Sequence, residues 1–318
     1  METLIALLVG FALDLLLGDP QGFPHPVVWM GRGIAWGERQ LRRCFPATPQ
    51  GERLAGAALW VAMVTLSALL PALVLWGLGR CSPWLRLAAE SLCCWQILAV
   101  RSLRTEAMGV YRALQTGDLA HSRTAVARIV GRDTQRLDHA GVTKAAVETV
   151  AENTCDGVVA PLVFLALGGA PLGFFYKAVN TMDSMLGYTE PPYRHFGLVP
   201  ARADDAANFL PARLSALLML AAGGLLGWPV AQGWRIFRRD RRRHASPNAG
   251  QTESVCAGLL GIQLAGDAWY HGVRHEKPTI GDPLRPVENE DIPRTCRLMT
   301  LTALLALALA VAGRALLL

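Results

Sequence analysis

Between Leu54 and Gly79 the chain runs 26 residues without a charged side chain. At about 1.5 Å per residue, a helix of that length reaches across the hydrocarbon of a bilayer. Leu214–Trp234 and Leu298–Gly313 are equally bare. Gly157–Tyr176 is uncharged too, but it carries Pro161, Pro171 and the pair Gly168-Gly169. A segment interrupted in this way either spans with a break or re-enters, because backbone breaks are tolerated at membrane depth only when buried in protein. Leu4–Leu17 and Leu85–Val100 are weaker, with Asp14 in the first and Arg86 and Glu90 in the second. Composition agrees: 52% of the 318 residues are hydrophobic and 18% are charged, against a usual fraction of about a quarter. A disordered chain, a coiled coil and an ordinary soluble nucleic-acid binder are excluded. The expected fold is all-α: a polytopic integral membrane protein with four to six membrane segments, some broken or re-entrant. It forms a single domain over 1–318, with long basic cytoplasmic helical insertions at roughly 101–156 and 235–297.

Arginine sets the expected orientation. Arg32, Arg39, Arg42, Arg43 and Arg53 lie between the first two apolar runs, and Arg235, Arg238, Arg239, Arg241, Arg242 and Arg243 crowd a later loop. The positive-inside rule places these regions in the cytoplasm. Strict alternation would then put 177–209 outside. Glu2 stands where a signal peptide has its basic region, so the N-terminal run reads as a retained helix. Seven cysteines with no CxxC pair argue against a disulfide framework or a structural zinc site.

Three polar clusters adjoin apolar segments. Lys144, Glu148 and Glu152 recur every four residues on one helical face, followed by Asn153, Asp156 and Gly157. One reading is a salt-bridge ladder. The other is a hard-cation site of carboxylates and an amide oxygen, such as one holding Mg²⁺ with nucleotide phosphates. Lys177, Asn180, Thr181 and Ser184 share a second face, with Asp183 at its margin. That face is an interfacial helix with a snorkelling lysine, or a site where Lys177 holds phosphate and Asp183 holds a metal or removes a proton. His244, Ser246, Asn248, Gly250 and Glu253 follow the arginine run and read as a helix start. Such a start is a plain cap, or a phosphate site made by backbone N–H groups. His271 and His275 suit two ligands on one helical face but read as a helix end. Gly18-Asp19-Pro20 and Gly281-Asp282-Pro283 are turn signals, and His25-Pro26 is a turn with a ligand-type side chain. No phosphate-loop, dinucleotide or GxSxG motif is present.

At these clusters the chain resembles the adenosylcobinamide-phosphate synthases, the CobD/CbiB membrane proteins of cobalamin biosynthesis. The resemblance runs through LLLGDPQGFPHPVVWMG at 15–31, ETVAENTCDGVVAPLVF at 148–164 and YKAVNTMDSMLGY at 176–188. It continues through RADDAANFLPARL at 202–214 and RHASPNAGQTESVCAGLLGIQLAG at 243–266. It implies ATP-dependent joining of the propionate of adenosylcobyric acid to (R)-1-amino-2-propanol or its O-phosphate. In that chemistry Glu152, Asp156 and Asp183, with Asn153, would hold Mg²⁺ and Lys177 and Arg243 would neutralise phosphate. Glu148 or Asp183 would take the amine proton. Asn180, His244, Ser246 and Asn248 would line the phosphate and substrate site. Expected partners are these small molecules and the lipid bilayer, with no nucleic acid. A second copy of the chain and other late enzymes of the pathway stay open. The expected location is the inner cell membrane, with the active site facing the cytoplasm. From the residues alone, a transporter with intramembrane carboxylates and a non-catalytic scaffold are rivals. No inverted halves are visible, and the basic loops are large for connectors.

Overall fold

The computed structural model describes residues 2–20, 22, 24–270 and 272–316. The chain begins with α1 (Glu2–Leu17), α2 (Pro26–Cys44), α3 (Pro49–Cys81), α4 (Pro83–Ile97), α5 (Val100–Gln115), α6 (Leu119–Val126) and α7 (His139–Asn153). A π-helical turn (Thr154–Val159) leads into α8 (Ala160–Leu186). Then come α9 (Leu198–Ala207), α10 (Phe209–Leu225), α11 (Val230–Asp240) and α12 (Ala249–Leu260). Strands β1 (Leu264–Ala265), β2 (Ala268–Tyr270), β3 (Val273–His275) and β4 (Thr279–Ile280) precede α13 (Asp291–Leu316). Helices α2, α3 and α4 each start with proline behind a capping side chain: His25, Thr48 and Ser82. Proline costs nothing there, because the first-turn N–H has no intrahelical partner.

Pro49–Cys81, His139–Leu186 and Asp291–Arg314 are helical stretches long and apolar enough to cross a membrane, and the broken pair α9–α10 is a fourth candidate. The protein is a polytopic helical membrane protein. Helices α1 and α4, with 16 and 15 residues, fall short of the roughly 20 a span needs. The apolar run Leu214–Trp234 is not one helix. Helix α10 ends at Leu225, Gly227 takes a positive φ, and α11 starts after Pro229. The basic stretch 235–297 is not helical throughout either. Two antiparallel pairs, β1 with β4 and β2 with β3, fill its middle. Gly266, Gly272 and Gly281 there hold positive φ angles that end helices.

The chain divides into two compact units that no single cut in the sequence separates. Unit one comprises 1–99, 160–208 and 309–318; unit two comprises 100–159 and 209–308. In unit one, Ile34 of α2, Ala55 and Leu59 of α3, Met182 and Leu186 of α8, and Phe196 form a buried cluster. The Arg42 guanidinium covers Phe196, 4.4 Å from the ring centroid, and donates to the Pro192 carbonyl at 2.9 Å.

Unit one also contains the break inside α8. Gly168 and Gly169 leave helical geometry, Gly169 at φ 64° and ψ −158°. Across that break the Phe164 ring stacks on Tyr176, with centroids 4.9 Å apart. In a straight helix residues twelve apart are separated by about 18 Å. The two halves of α8 therefore fold back as a hairpin, and its two ends leave from the same side. A fold-back of this kind has the geometry that the re-entrant alternative needs.

The turn is built for glycine. A Cβ on Gly169 would stand 2.4 Å from a Glu90 carboxylate oxygen, besides the cost of positive φ. Gly169→Ala should destabilise the protein by about 1–3 kcal/mol from backbone strain and overpacking. Gly109→Ala in α5, where a Cβ meets nothing within 4 Å, should be neutral or stabilising by up to about 1 kcal/mol. Thermal unfolding in detergent checks the pair, and equal shifts would contradict the hairpin.

Candidate active site

In unit two, helix α7 is buried along most of its length, with Ala145, Ala146, Val147, Val150 and Ala151 inaccessible to solvent. Glu148 lies among them at 7% exposure. The Lys144–Glu148–Glu152 ladder is not made. Glu148 instead pairs with the Arg132 guanidinium through one oxygen and accepts the Ala265 N–H at 2.6 Å through the other. Lys144 donates to the Ala265 carbonyl at 3.2 Å. Two side chains of α7 thus clamp β1 where Ala265 takes a positive φ. Glu152 is partly buried one turn on from Glu148. Asn153 spends one amide hydrogen on the Thr149 carbonyl at 3.0 Å, and Asp156 sits in the π turn. Such turns recur at functional sites because they re-aim side chains.

The third cluster forms the start of α12. Ser246 Oγ accepts the N–H groups of Asn248 and Ala249 at 3.2 and 3.3 Å, so it caps the helix. The Ser246 N–H donates to His244 Nδ1 at 3.0 Å, and Asn248 Oδ1 accepts from Arg213 at 3.3 Å. Every residue of α12 is buried, including Gln251, Thr252, Glu253 and Ser254. Glu253 Oε1 lies 4.0 Å from His244 Nε2, and Glu253 Oε2 is buried with no hydrogen-bond partner. Burial first, then the Glu152 and Glu148 carboxylates, push the Glu253 acid well above the usual range, with Arg132 and Lys277 pulling the other way. Burial and the Lys277 ammonium lower the His244 imidazolium below its ordinary range. With Nδ1 accepting, the neutral ring carries its proton on Nε2, toward Glu253.

Half of the arginine run is structural. Arg243 and Arg239 pair with Asp240 at 3.3 and 2.7 Å, and Asp240 also accepts the Gly281 N–H at 2.8 Å. Arg235 and Arg239 reach Asp282 at 2.8 and 2.7 Å. The turn signal at Gly281-Asp282-Pro283 is therefore tied to α11.

Lys177, Asn180 and Asp183 belong to unit one. Tyr176 donates to Asn208 at 2.9 Å, Asn208 donates to Asp204 at 3.0 Å, and Asn180 donates to Asp204 at 3.3 Å. This relay fixes α8 to α9. Lys177 lines a cavity of about 340 Å³ together with Asp19, His25, Trp95 and Gln96. His25 Nε2 faces Asp19 at 3.6 Å while its Nδ1 accepts the Val27 N–H. Glu148, Glu152, Asn153, Asp156, Arg243, His244, Ser246 and Asn248 lie in unit two. Of the three expected metal ligands, Glu152 and Asp156 are thus in one unit and Asp183 in the other. Among the described residues no three His, Cys, Asp or Glu side chains gather as a metal-binding group. His271 lies outside the described residues, and His275 ends β3.

A family model described as CobD/Cbib protein matches residues 7–299. The chain belongs to the CobD/CbiB family. It is 48% identical over 323 residues to the cobalamin biosynthesis protein CbiB of Salmonella typhimurium, covering 98% of each chain. It is likewise 48% identical to the cobalamin biosynthesis protein CobD of Klebsiella pneumoniae (98% of each) and to that of Yersinia enterocolitica (96% of each). No solved structure matches. The residues that sequence reasoning did not single out in this CobD/CbiB chain are Arg132 and Lys277. Glu253 it saw only as part of a helix start.

Two outcomes follow from these contacts. Arg132→Ala should cost about 3–5 kcal/mol, because it strands a buried carboxylate, while Arg132→Leu with Glu148→Leu should cost less. Denaturant unfolding of the three proteins checks the order. The Asp240 carboxyl is pushed up by burial but pulled below its ordinary range by Arg239, Gly281 and Arg243. Its stabilisation is therefore complete above the unfolded value of about 4 and is lost as pH falls below it. Asp240→Asn should flatten that acid limb in a stability-against-pH series.

Proposed function

We propose that this protein catalyses an ATP-driven amide ligation in cobalamin biosynthesis, joining the propionate of adenosylcobyric acid to (R)-1-amino-2-propanol or its O-phosphate. The observation that carries this reading is that unit two holds a buried Glu253 with one oxygen unpartnered and the other facing His244, and Glu148 paired with Arg132, in a chain of this family. Ligation by this route needs two things from a protein. Cationic groups must neutralise phosphate while the propionate attacks the γ-phosphate of ATP, giving an acyl phosphate and releasing ADP; the free amine then attacks the acyl carbon and displaces inorganic phosphate. A carboxylate must also take a proton from the ammonium, which is no nucleophile until it loses one.

Glu148 is a poor acceptor, since Arg132 and the Ala265 N–H already engage both its oxygens. Its role is to position Arg132 and β1. Glu253 has an uncommitted oxygen and receives the amine proton, with the Nε2 side of His244 facing its other oxygen. Asp183 remains the alternative acceptor. Within unit two the N-terminal turn of α12 with Asn248, and within unit one Lys177 in its own cavity, each suit an anionic group. Arg243 supplies charge only as far as its pairing with Asp240 allows. Mg²⁺ enters as the counter-ion of ATP, carried by the phosphates. The basic regions support a site on the cytoplasmic side of the cell membrane, where ATP is.

The test is to incubate the detergent-purified protein with adenosylcobyric acid, Mg·ATP and either amine donor, and to follow corrinoid mass. The expected product requires ATP and one of the two donors; no amide product from either would overturn the reading. Glu253→Gln and Glu152→Ala should each cut turnover about a hundredfold or more, and Lys177→Ala should raise KM.

A further inference from the structure

Helix α2 shows an outward stripe that the proposed reaction does not use. Trp29, Arg32, Trp36, Arg39 and Arg43 recur at spacings of three and four residues, which puts them on one face. Trp29 and Trp36 are 59% and 62% exposed. Among the described residues no carboxylate pairs with Arg32, Arg39 or Arg43; the one bond these side chains make is from Arg39 to its own helix, at the Ala35 carbonyl. Tryptophan rings spaced along a helix between unneutralised guanidinium groups suit the boundary between headgroups and hydrocarbon.

Beside this stripe, still within unit one, lies a crevice of about 350 Å³. One wall is Pro26, Trp29, Met30 and Gly33 of α2. The other follows α3 through Met63, Leu66, Leu70 and Val74. The α3 residues extend over three turns, about 16 Å of rise. Pro71 cannot donate to the Ser67 carbonyl, which loosens the helix at the middle of this wall. Leu66, Leu70 and Val74 are also exposed on the outside of the span, so the crevice opens sideways toward hydrocarbon rather than toward water. A long, thin, apolar occupant fits that space, and Trp29 joins it to the arginine stripe.

We infer that unit one holds a site for an anionic glycerophospholipid, with an acyl chain in the α2–α3 crevice and the headgroup phosphate on Arg32 and Arg39. Charge complementarity selects the headgroup: uncompensated arginines next to an apolar slot favour a net-negative lipid over a zwitterionic one. Apolar contact along three turns of a membrane helix supplies the rest.

The test uses the full chain, delipidated in detergent and supplied with phosphatidylglycerol or phosphatidylcholine, with bound lipid counted by native mass spectrometry. Wild type should retain phosphatidylglycerol about tenfold more strongly than phosphatidylcholine. Arg32→Gln with Arg39→Gln, both on the surface, should abolish that preference. Gly33→Phe should exclude both lipids, since a Cβ at Gly33 points at Met63, 3.4 Å away, and the ring fills the slot. Leu70→Trp blocks the opposite wall and serves if Gly33→Phe does not fold. Equal retention of the two lipids by wild type, or unchanged retention by the arginine or blocking variants, overturns the site.

Discussion

Hydrocarbon offers no hydrogen bonds, and the architecture follows from that constraint. Each backbone N–H and C=O at membrane depth must be satisfied within the protein, so long helices dominate and every departure from helix has to be sheltered. The Gly168–Gly169 turn is such a departure. Glu90 closes against it on one side, and the Phe164–Tyr176 stack locks the two halves of α8 together on the other. A second helix could not replace this hairpin without sending 177–186 to the other end of unit one. Lys177, Asn180 and Asp183 owe their position to two glycines.

The same economy governs charge. In unit two nearly every buried carboxylate is fully engaged. Asp240 holds two arginines and a backbone N–H, and Asp291 accepts from Arg285, Arg294 and the Glu288 N–H. Glu148 is engaged on both oxygens. An arginine run that sequence alone assigns to membrane orientation turns out to serve two purposes. Arg235, Arg239 and Arg243 hold α11 to the Gly281–Pro283 turn, while Arg238 and Arg242 stay exposed at the surface.

What was legible in the sequence divides along physical lines. The membrane segments were visible because a charge-free length reports directly on transfer to hydrocarbon. The break at Gly168–Gly169 was visible from residue type, but its direction was not, since re-entry depends on a ring contact twelve residues away. The burial of α12 was hidden because Gln251, Thr252, Glu253 and Ser254 look solvent-facing to any hydropathy measure. Two of these, Thr252 and Ser254, are satisfied by the helix itself, donating to the Ala249 and Gln251 carbonyls. The partner of Glu148 escaped notice for a different reason. Periodicity points to Lys144, one turn away, whereas the carboxylate is met by Arg132 from a loop and by a strand 117 residues on. Local spacing finds faces of helices; it does not find the loops that pack against them.

Glu253 stands apart from this accounting. An unpartnered carboxylate oxygen at 4% exposure is expensive, and Glu148 and Glu152 close by make it more so. A fold that satisfies Asp240 and Asp291 with such completeness has guanidinium groups to spare, yet none reaches Glu253. Replacing it by glutamine would remove the repulsion and give up only the 4.0 Å approach of His244, so stability does not account for a glutamate here. Stored strain of this kind is tolerated where another molecule completes the site. A donor that carries positive charge and gives up a proton there would satisfy the free oxygen and relieve the repulsion among the three carboxylates together.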